Sequence, residues 1–168
     1  MQIEVENKVE SYSFIVMEQL GKTLRWHLKH NNGPFTTNKV CQIGLAILNQ
    51  LEQLHSIGQI YNDLNLDNIL VGDQDSSAHS IDKYALIDFG LCSGYLNSDG
   101  IHLPLKFHGQ FKGNMALASA NALEFKTTSR KDDLISLTYL LIYLSHGQFN
   151  LYSHVRKSTK MDMLRQIR

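Results

Sequence analysis

From Thr37 to about His55 the apolar residues fall at Val40, Ile43, Ala46, Ile47, Leu51 and Leu54. Spacing of three and four places them on one face, which predicts an amphipathic helix. A second helix is predicted after Ser129, where Asp132 three residues on resembles a capping box. The run Leu134, Leu137, Leu140, Leu141 and Leu144 is apolar on most sides, so this helix is expected to be buried and to end near Gly147. Ser11 to Met17 is aromatic and β-branched enough for a strand. A short helix over roughly Thr23 to Lys29 follows, stopped by Asn31, Asn32, Gly33 and Pro34.

Between the two long helices the pattern changes. Gln59 to Tyr61, Ile69 to Val71 and Tyr84 to Ile87 are short apolar pieces separated by Asp, Asn and Gly, as in small β-ribbons carrying a loop. From Asp88 to about Phe125 periodicity is weak and glycine recurs at positions 94, 100, 109 and 113, which predicts a long irregular segment, of a length that is usually functional or disordered. The basic tail from Val155 to Arg168 reads as a solvated helix or a frayed end. Together these elements predict an α+β fold, mainly helical.

Composition narrows this picture. With 168 residues, 43% hydrophobic and 19% charged, the chain suits one core and not a disordered tail. Sixteen basic and sixteen acidic residues leave no net field to attract nucleic acid or anionic lipid, so neither is an expected partner. The start, MQIEVENKVE, lacks the basic then apolar order of a signal peptide, and the run Leu134 to Leu144 is too short to span a bilayer. Two cysteines, Cys41 and Cys92, form no CxxC pair and suit a reducing compartment. The expected setting is intracellular, cytoplasmic or nuclear.

The densest chemistry is Asp63-Leu64-Asn65-Leu66-Asp67-Asn68-Ile69-Leu70, followed by Leu86-Ile87-Asp88-Phe89-Gly90. Asp63 and Asn68 alone would also suit a tight turn, since both types bond nearby backbone, but that leaves Asp88-Phe89-Gly90 unexplained. Residue types and order together resemble the catalytic and magnesium-binding loops of eukaryotic protein kinases. A closer resemblance is to the casein kinase I group of serine/threonine kinases. It is carried by Phe14-Ile15-Val16-Met17-Glu18-Gln19-Leu20-Gly21, similar to the hinge, by Tyr84 to Leu91, and by Ser129-Arg130-Lys131-Asp132-Asp133-Leu134-Ile135-Ser136-Leu137, similar to the opening of the central helix.

The resemblance implies ATP-dependent phosphoryl transfer to protein hydroxyls, with ATP and magnesium as cofactors and a protein substrate or binding partner. Asp63 would be the base, and Asn68 and Asp88 would hold magnesium. Met17 would be the gatekeeper, Glu18 and Leu20 would offer backbone groups to adenine, Leu70 would lie under the ring, and Ile87, counted with the nucleotide-binding residues, would stand just before the magnesium Asp88. Asp133 would hold the catalytic-loop backbone from beneath. It also implies boundaries within residues 1–168: a hinge at about 14–21, a catalytic loop at 61–70, a magnesium loop at 88–90, an activation segment at about 88–125 and a central helix at about 130–146. By this likeness the chain is the large lobe of a partial kinase domain, with the small lobe absent.

Four positions depart from the family pattern. Asn65, assigned with Asp63 to the catalytic set, stands where the family has a lysine that steadies the transferring phosphate. Asn62 replaces the arginine of His-Arg-Asp, so phosphate control of the activation segment is not expected. Trp26 stands near where the group often has a ribose-binding acid, and Ala116 occupies a position that resembles an arginine site of the activation segment. Leu20-Gly21-Lys22-Thr23 is not a P-loop, because Val16 stands where its first glycine is needed.

Three functions follow: an active casein kinase I-type enzyme, a catalytically impaired interaction protein, and a small-molecule phosphotransferase, which Ser129 to Leu137 disfavours. A lobe without its neighbours is further expected to bind nucleotide weakly and to self-associate through uncovered apolar faces.

Overall fold

The computed structural model describes residues 2–5, 8–11, 15–16, 18–72 and 84–147. Two antiparallel strands come first, β1 (Gln2–Val5) and β2 (Lys8–Ser11), with Val5 opposite Lys8. Four elements follow before the irregular segment's own: α1 (Leu24–Lys29), α2 (Thr37–Ser56), β3 (Gln59–Ile60) and β4 (Ile69–Val71). The chain continues with β5 (Tyr84–Leu86), β6 (Ser93–Gly94), α3 (Ala120–Leu123) and α4 (Arg130–His146). The architecture is α+β, with three two-stranded ribbons: β1 with β2, β3 with β6, and β4 with β5.

The two long helices carry the core. Thr36 caps α2 by accepting the Lys39 N–H on its side chain, satisfying one of the donors that a helix start leaves open. Val40, Ile43, Ala46, Ile47 and Leu51 are then buried, as their spacing predicts. They meet Leu137, Leu140 and Leu144 of α4. Each such side chain contributes roughly 1.5–3 kcal/mol on burial. Gly44 lets the helices close up, since a Cβ there would lie 3.1 Å from Leu141 Cδ1.

The capping box is present: the Ser129 N–H donates to the Asp132 carboxylate at 2.8 Å. Gly147 ends α4 in the left-handed region at φ 68°, which glycine adopts without a Cβ penalty.

Several expectations need correction. Strand structure is found at Lys8–Ser11, which shares only Ser11 with the expected Ser11 to Met17, and it pairs with β1, a strand that the residue pattern did not predict. Ile15 and Val16 are irregular and 89% and 85% exposed, while residues 12–14 and Met17 lie outside the described residues. In Gln2–Ser11 apolar residues alternate with charged ones, a weak strand pattern that becomes visible only when the partner strand is known. The central helix is less enclosed than expected, since Leu134 and Ile142 are exposed. The irregular segment contains β6 and α3, both too short to show a period. The basic tail at 155–168 lies outside the described residues. Among the described residues no helix is long and apolar enough to cross a membrane.

Candidate active site

The loop between β3 and β4 is anchored from both sides. Leu64 and Leu66 are buried in the core, which pins the middle of the loop inward, while Asp63 and Asn68 are half-buried and Asp67 is exposed. Beneath it, the Asp133 carboxylate of α4 accepts the Tyr61 N–H at 2.8 Å and the Asn62 N–H at 2.9 Å. This is the support that the family likeness implied. A third contact was not foreseen: His55 Nε2 lies 2.8 Å from the same carboxylate.

Within the loop, the Asn68 side-chain amide donates to Asp63 Oδ2 at 2.9 Å and to the Asp63 carbonyl at 3.1 Å. β4 and β5 pair with Ile69 opposite Leu86, and one step further the Ile87 N–H donates to the Asn68 carbonyl at 3.0 Å. That register delivers Asp88 to the side of Asn68. Asp88 itself has φ 58°, and its Oδ1 accepts the Gly90 N–H at 3.2 Å, which fixes the direction of the carboxylate. Asp63 and Asn68 are therefore joined directly, and Asp88 stands one residue past the backbone bond that ties Ile87 to Asn68.

Asn65 is placed differently from its expected catalytic neighbours. It is 7% exposed, donates to the Asp63 carbonyl at 3.0 Å, and accepts the N–H groups of Asp67 and Asn68 at 2.9 and 3.1 Å. A side chain with its oxygen and amide bound to loop backbone does not reach outward. It braces the loop, and the place of a phosphate-contacting cation is not filled by it.

Tyr61 links the two loops. Its hydroxyl donates to the Ile87 carbonyl and its ring meets Phe89 edge to face at 5.6 Å. Burial pushes the phenol well above the ordinary tyrosine range, keeping it a neutral donor. Gln50 was missed as well. From the buried side of α2 it donates to the Tyr84 carbonyl at 2.7 Å and accepts the Leu86 N–H at 2.8 Å, holding the free edge of β5. A polar residue set among Ile43, Ile47 and Leu54 was the available signal.

On the opposite side of β4, the Gly21 N–H donates to the Val71 carbonyl and the Val71 N–H to the Lys22 carbonyl, both at 3.0 Å. Gly21 is needed for this approach, because a Cβ there would lie 2.4 Å from the Val71 oxygen. The pairing runs on to Thr23, which bridges Leu70; Leu20 and Leu70 are each half-buried, Ile87 follows β5, Glu18 is exposed, and Met17 lies outside the described residues. Arg25 and Asp67 close the edge with an exposed ion pair at 2.6 Å, whose hydrogen bond raises the guanidinium further above its usual value.

The donors suit a hard cation. Asn68 and Asp88 present amide and carboxylate oxygens, the ligand type magnesium takes. Among the described residues no three His, Cys, Asp or Glu side chains cluster into a protein-only cage. A magnesium ion here would complete its shell with phosphate oxygens and water.

The model of the protein kinase domain family matches residues 3–168, so the likeness extends upstream of Phe14 and takes in β1 and β2. The chain is 30% identical over 138 residues to a Dictyostelium discoideum protein named as a probable serine/threonine-protein kinase, covering 82% of this chain and 27% of that one. It is 31% identical over 135 residues to a probable casein kinase I homolog of Encephalitozoon cuniculi, covering 80% and 40%. It is 33% identical over 149 residues to casein kinase 1-like protein HD16 of Oryza sativa subsp. japonica, covering 87% and 21%. The chain thus spans less than half the length of each of these relatives. With Asp63, Asn68 and Asp88 assembled on paired loops, the chain belongs to the protein kinase domain family and is casein kinase I-like within it.

Proposed function

We propose that this chain supplies the hinge and large lobe of a serine/threonine protein kinase of casein kinase I type, acting in the cytoplasm or nucleus on protein hydroxyls. The observation that carries the reading is the Asn68 side-chain amide donating to Asp63 Oδ2 at 2.9 Å while the Asn68 backbone carbonyl accepts the Ile87 N–H at 3.0 Å. It ties the base, the amide ligand and the carboxylate ligand into one rigid unit. Asp63 takes the proton of the attacking hydroxyl, Asn68 and Asp88 would hold magnesium, Glu18 and Leu20 would offer backbone groups to the adenine of ATP, and Leu70 would lie under its ring. Bound magnesium neutralises charge on the phosphates.

The test is phosphotransfer by the native protein with magnesium and ATP. Asp63→Ala is expected to lower the rate by roughly 10²–10⁴-fold, the contribution of a positioned base. Unchanged phosphotransfer in that variant would remove Asp63 from its role.

A second reading is favoured by Asn65. With that side chain inside the loop and no cation in its place, transition-state charge loses a stabilising partner. The chain would then act as a catalytically impaired interaction protein. Exposed Leu45, Leu48, Leu134 and Ile142 on α2 and α4 support partner binding or self-association. Absence of phosphotransfer with retained magnesium-nucleotide binding would select this reading, and sedimentation would show the association state.

A further inference from the structure

We infer that Asn62 is a positioning residue that straps the segment after Gly90 to the catalytic loop without any phosphate; the inference rests on the kinase reading above. Asn62 stands at φ 66°, a conformation asparagine tolerates better than most residues. Its backbone N–H is held by Asp133 at 2.9 Å, which aims the side chain away from α4. The side-chain amide donates to the Leu91 carbonyl and to Ser93 Oγ, each at 2.9 Å. Its oxygen accepts the Thr128 hydroxyl at 2.7 Å. One neutral side chain therefore joins the beginning of the 91–128 segment to its end.

A fourth strand of chain closes on the same residue. Gly113, at φ 94°, passes so near that a Cβ would lie 2.1 Å from the Asn62 carbonyl oxygen. Residues 91–93, 113, 128 and 133 thus converge on Asn62. The match of chemistry is specific. An asparagine offers two donors and an acceptor, and this site uses both kinds. An arginine would offer only donors, leave the Thr128 hydroxyl without its acceptor, and introduce a charge that needs an anion. The segment is ordered by neutral hydrogen bonds within the chain, so its order does not await modification.

Hydrogen exchange of the 168-residue chain without nucleotide tests this, before and after phosphatase treatment. Asn62→Ala and Thr128→Val are each expected to speed exchange roughly fivefold to tenfold over 91–95 and 111–118, the effect of losing a hydrogen bond of ordinary strength. Exchange in α2 over 43–51 stays as in the parent chain, and Thr128→Ser, which keeps the hydroxyl, restores protection. Phosphatase treatment changes nothing. Should Asn62→Ala fail to fold, the Thr128 pair decides. The inference is overturned if Thr128→Val matches the parent chain, if acceleration is equal in α2, or if phosphatase alone releases the segment. None of these readouts uses phosphotransfer, so an inactive chain leaves this test intact.

Discussion

The Asp133 carboxylate and the Tyr61 backbone, 72 residues apart in sequence, meet at 2.8 Å, and the catalytic loop is built on that contact. Asp133 is 2% exposed and takes a second N–H from Asn62 and a contact from His55. A buried carboxylate is tolerable only when its oxygens are occupied, and here they are. The loop geometry and the stability of α4 are therefore one property.

Asp133→Ala is expected to destabilise the fold by about 3 kcal/mol, since two buried N–H groups and His55 lose their acceptor. Urea denaturation measures this. A loss below about 1 kcal/mol would show that the loop holds itself.

Asn65 gives a two-sided expectation. Asn65→Ala removes the acceptor for the Asp67 and Asn68 N–H groups and should lower stability by about 1–2 kcal/mol. Asn65→Lys removes the same acceptor but adds a cation beside the base, so it should raise phosphotransfer at least tenfold, by roughly 1.4 kcal/mol of transition-state stabilisation, while lowering the melting temperature. Parallel rate and melting measurements separate the two effects. Equal rates in both variants would count against a missing cation as the limitation.

Gly21→Ala places a Cβ 2.4 Å from the Val71 carbonyl oxygen, a backbone atom that cannot rotate away. The pairing of residues 21–22 with Val71 should open, at a cost of roughly 1–3 kcal/mol, and nucleotide affinity should fall with it because this pairing positions the proposed hinge residue Leu20. Calorimetric titration with magnesium-nucleotide checks the affinity, and an unchanged value would detach Leu20 from the adenine site.

Alkaline pH should find Tyr61. Burial raises its phenol, and burial also raises Tyr84, so the folded state favours both neutral forms. An unfolded tyrosine ionises near pH 10. Stability from these groups is complete below that value and is lost as pH rises through the raised folded values. Denaturation at pH 9 and pH 11, with absorbance at about 295 nm following ionisation, should show the decline, and Tyr61→Phe should flatten part of it. A stability curve of identical slope in that variant would assign the decline elsewhere.

Much of the site is readable without a structure because its parts are local. Asp63 and Asn68 are five residues apart on one loop, and Asp88 follows a short strand, so residue type and order carry them. The helices Thr37–Ser56 and Arg130–His146 are legible from apolar spacing and a cap, because a long helix repeats its pattern. Four-residue elements such as β1, β2 and α3 repeat nothing, and they are placed by their partners.

The sequence by itself therefore determined the family, the long helices and the candidate residues Asp63, Asn68 and Asp88. Only the tertiary structure decided that Asn65 turns inward, that Asn62 joins both ends of the 91–128 segment, and that buried Tyr61 and half-buried Gln50 and His55 brace the site. The physical reason is the range of the interactions. A helix or a motif is written in neighbouring residues, whereas the partner of a buried polar group is chosen by packing between segments tens of residues apart, and no local pattern records which of them will meet.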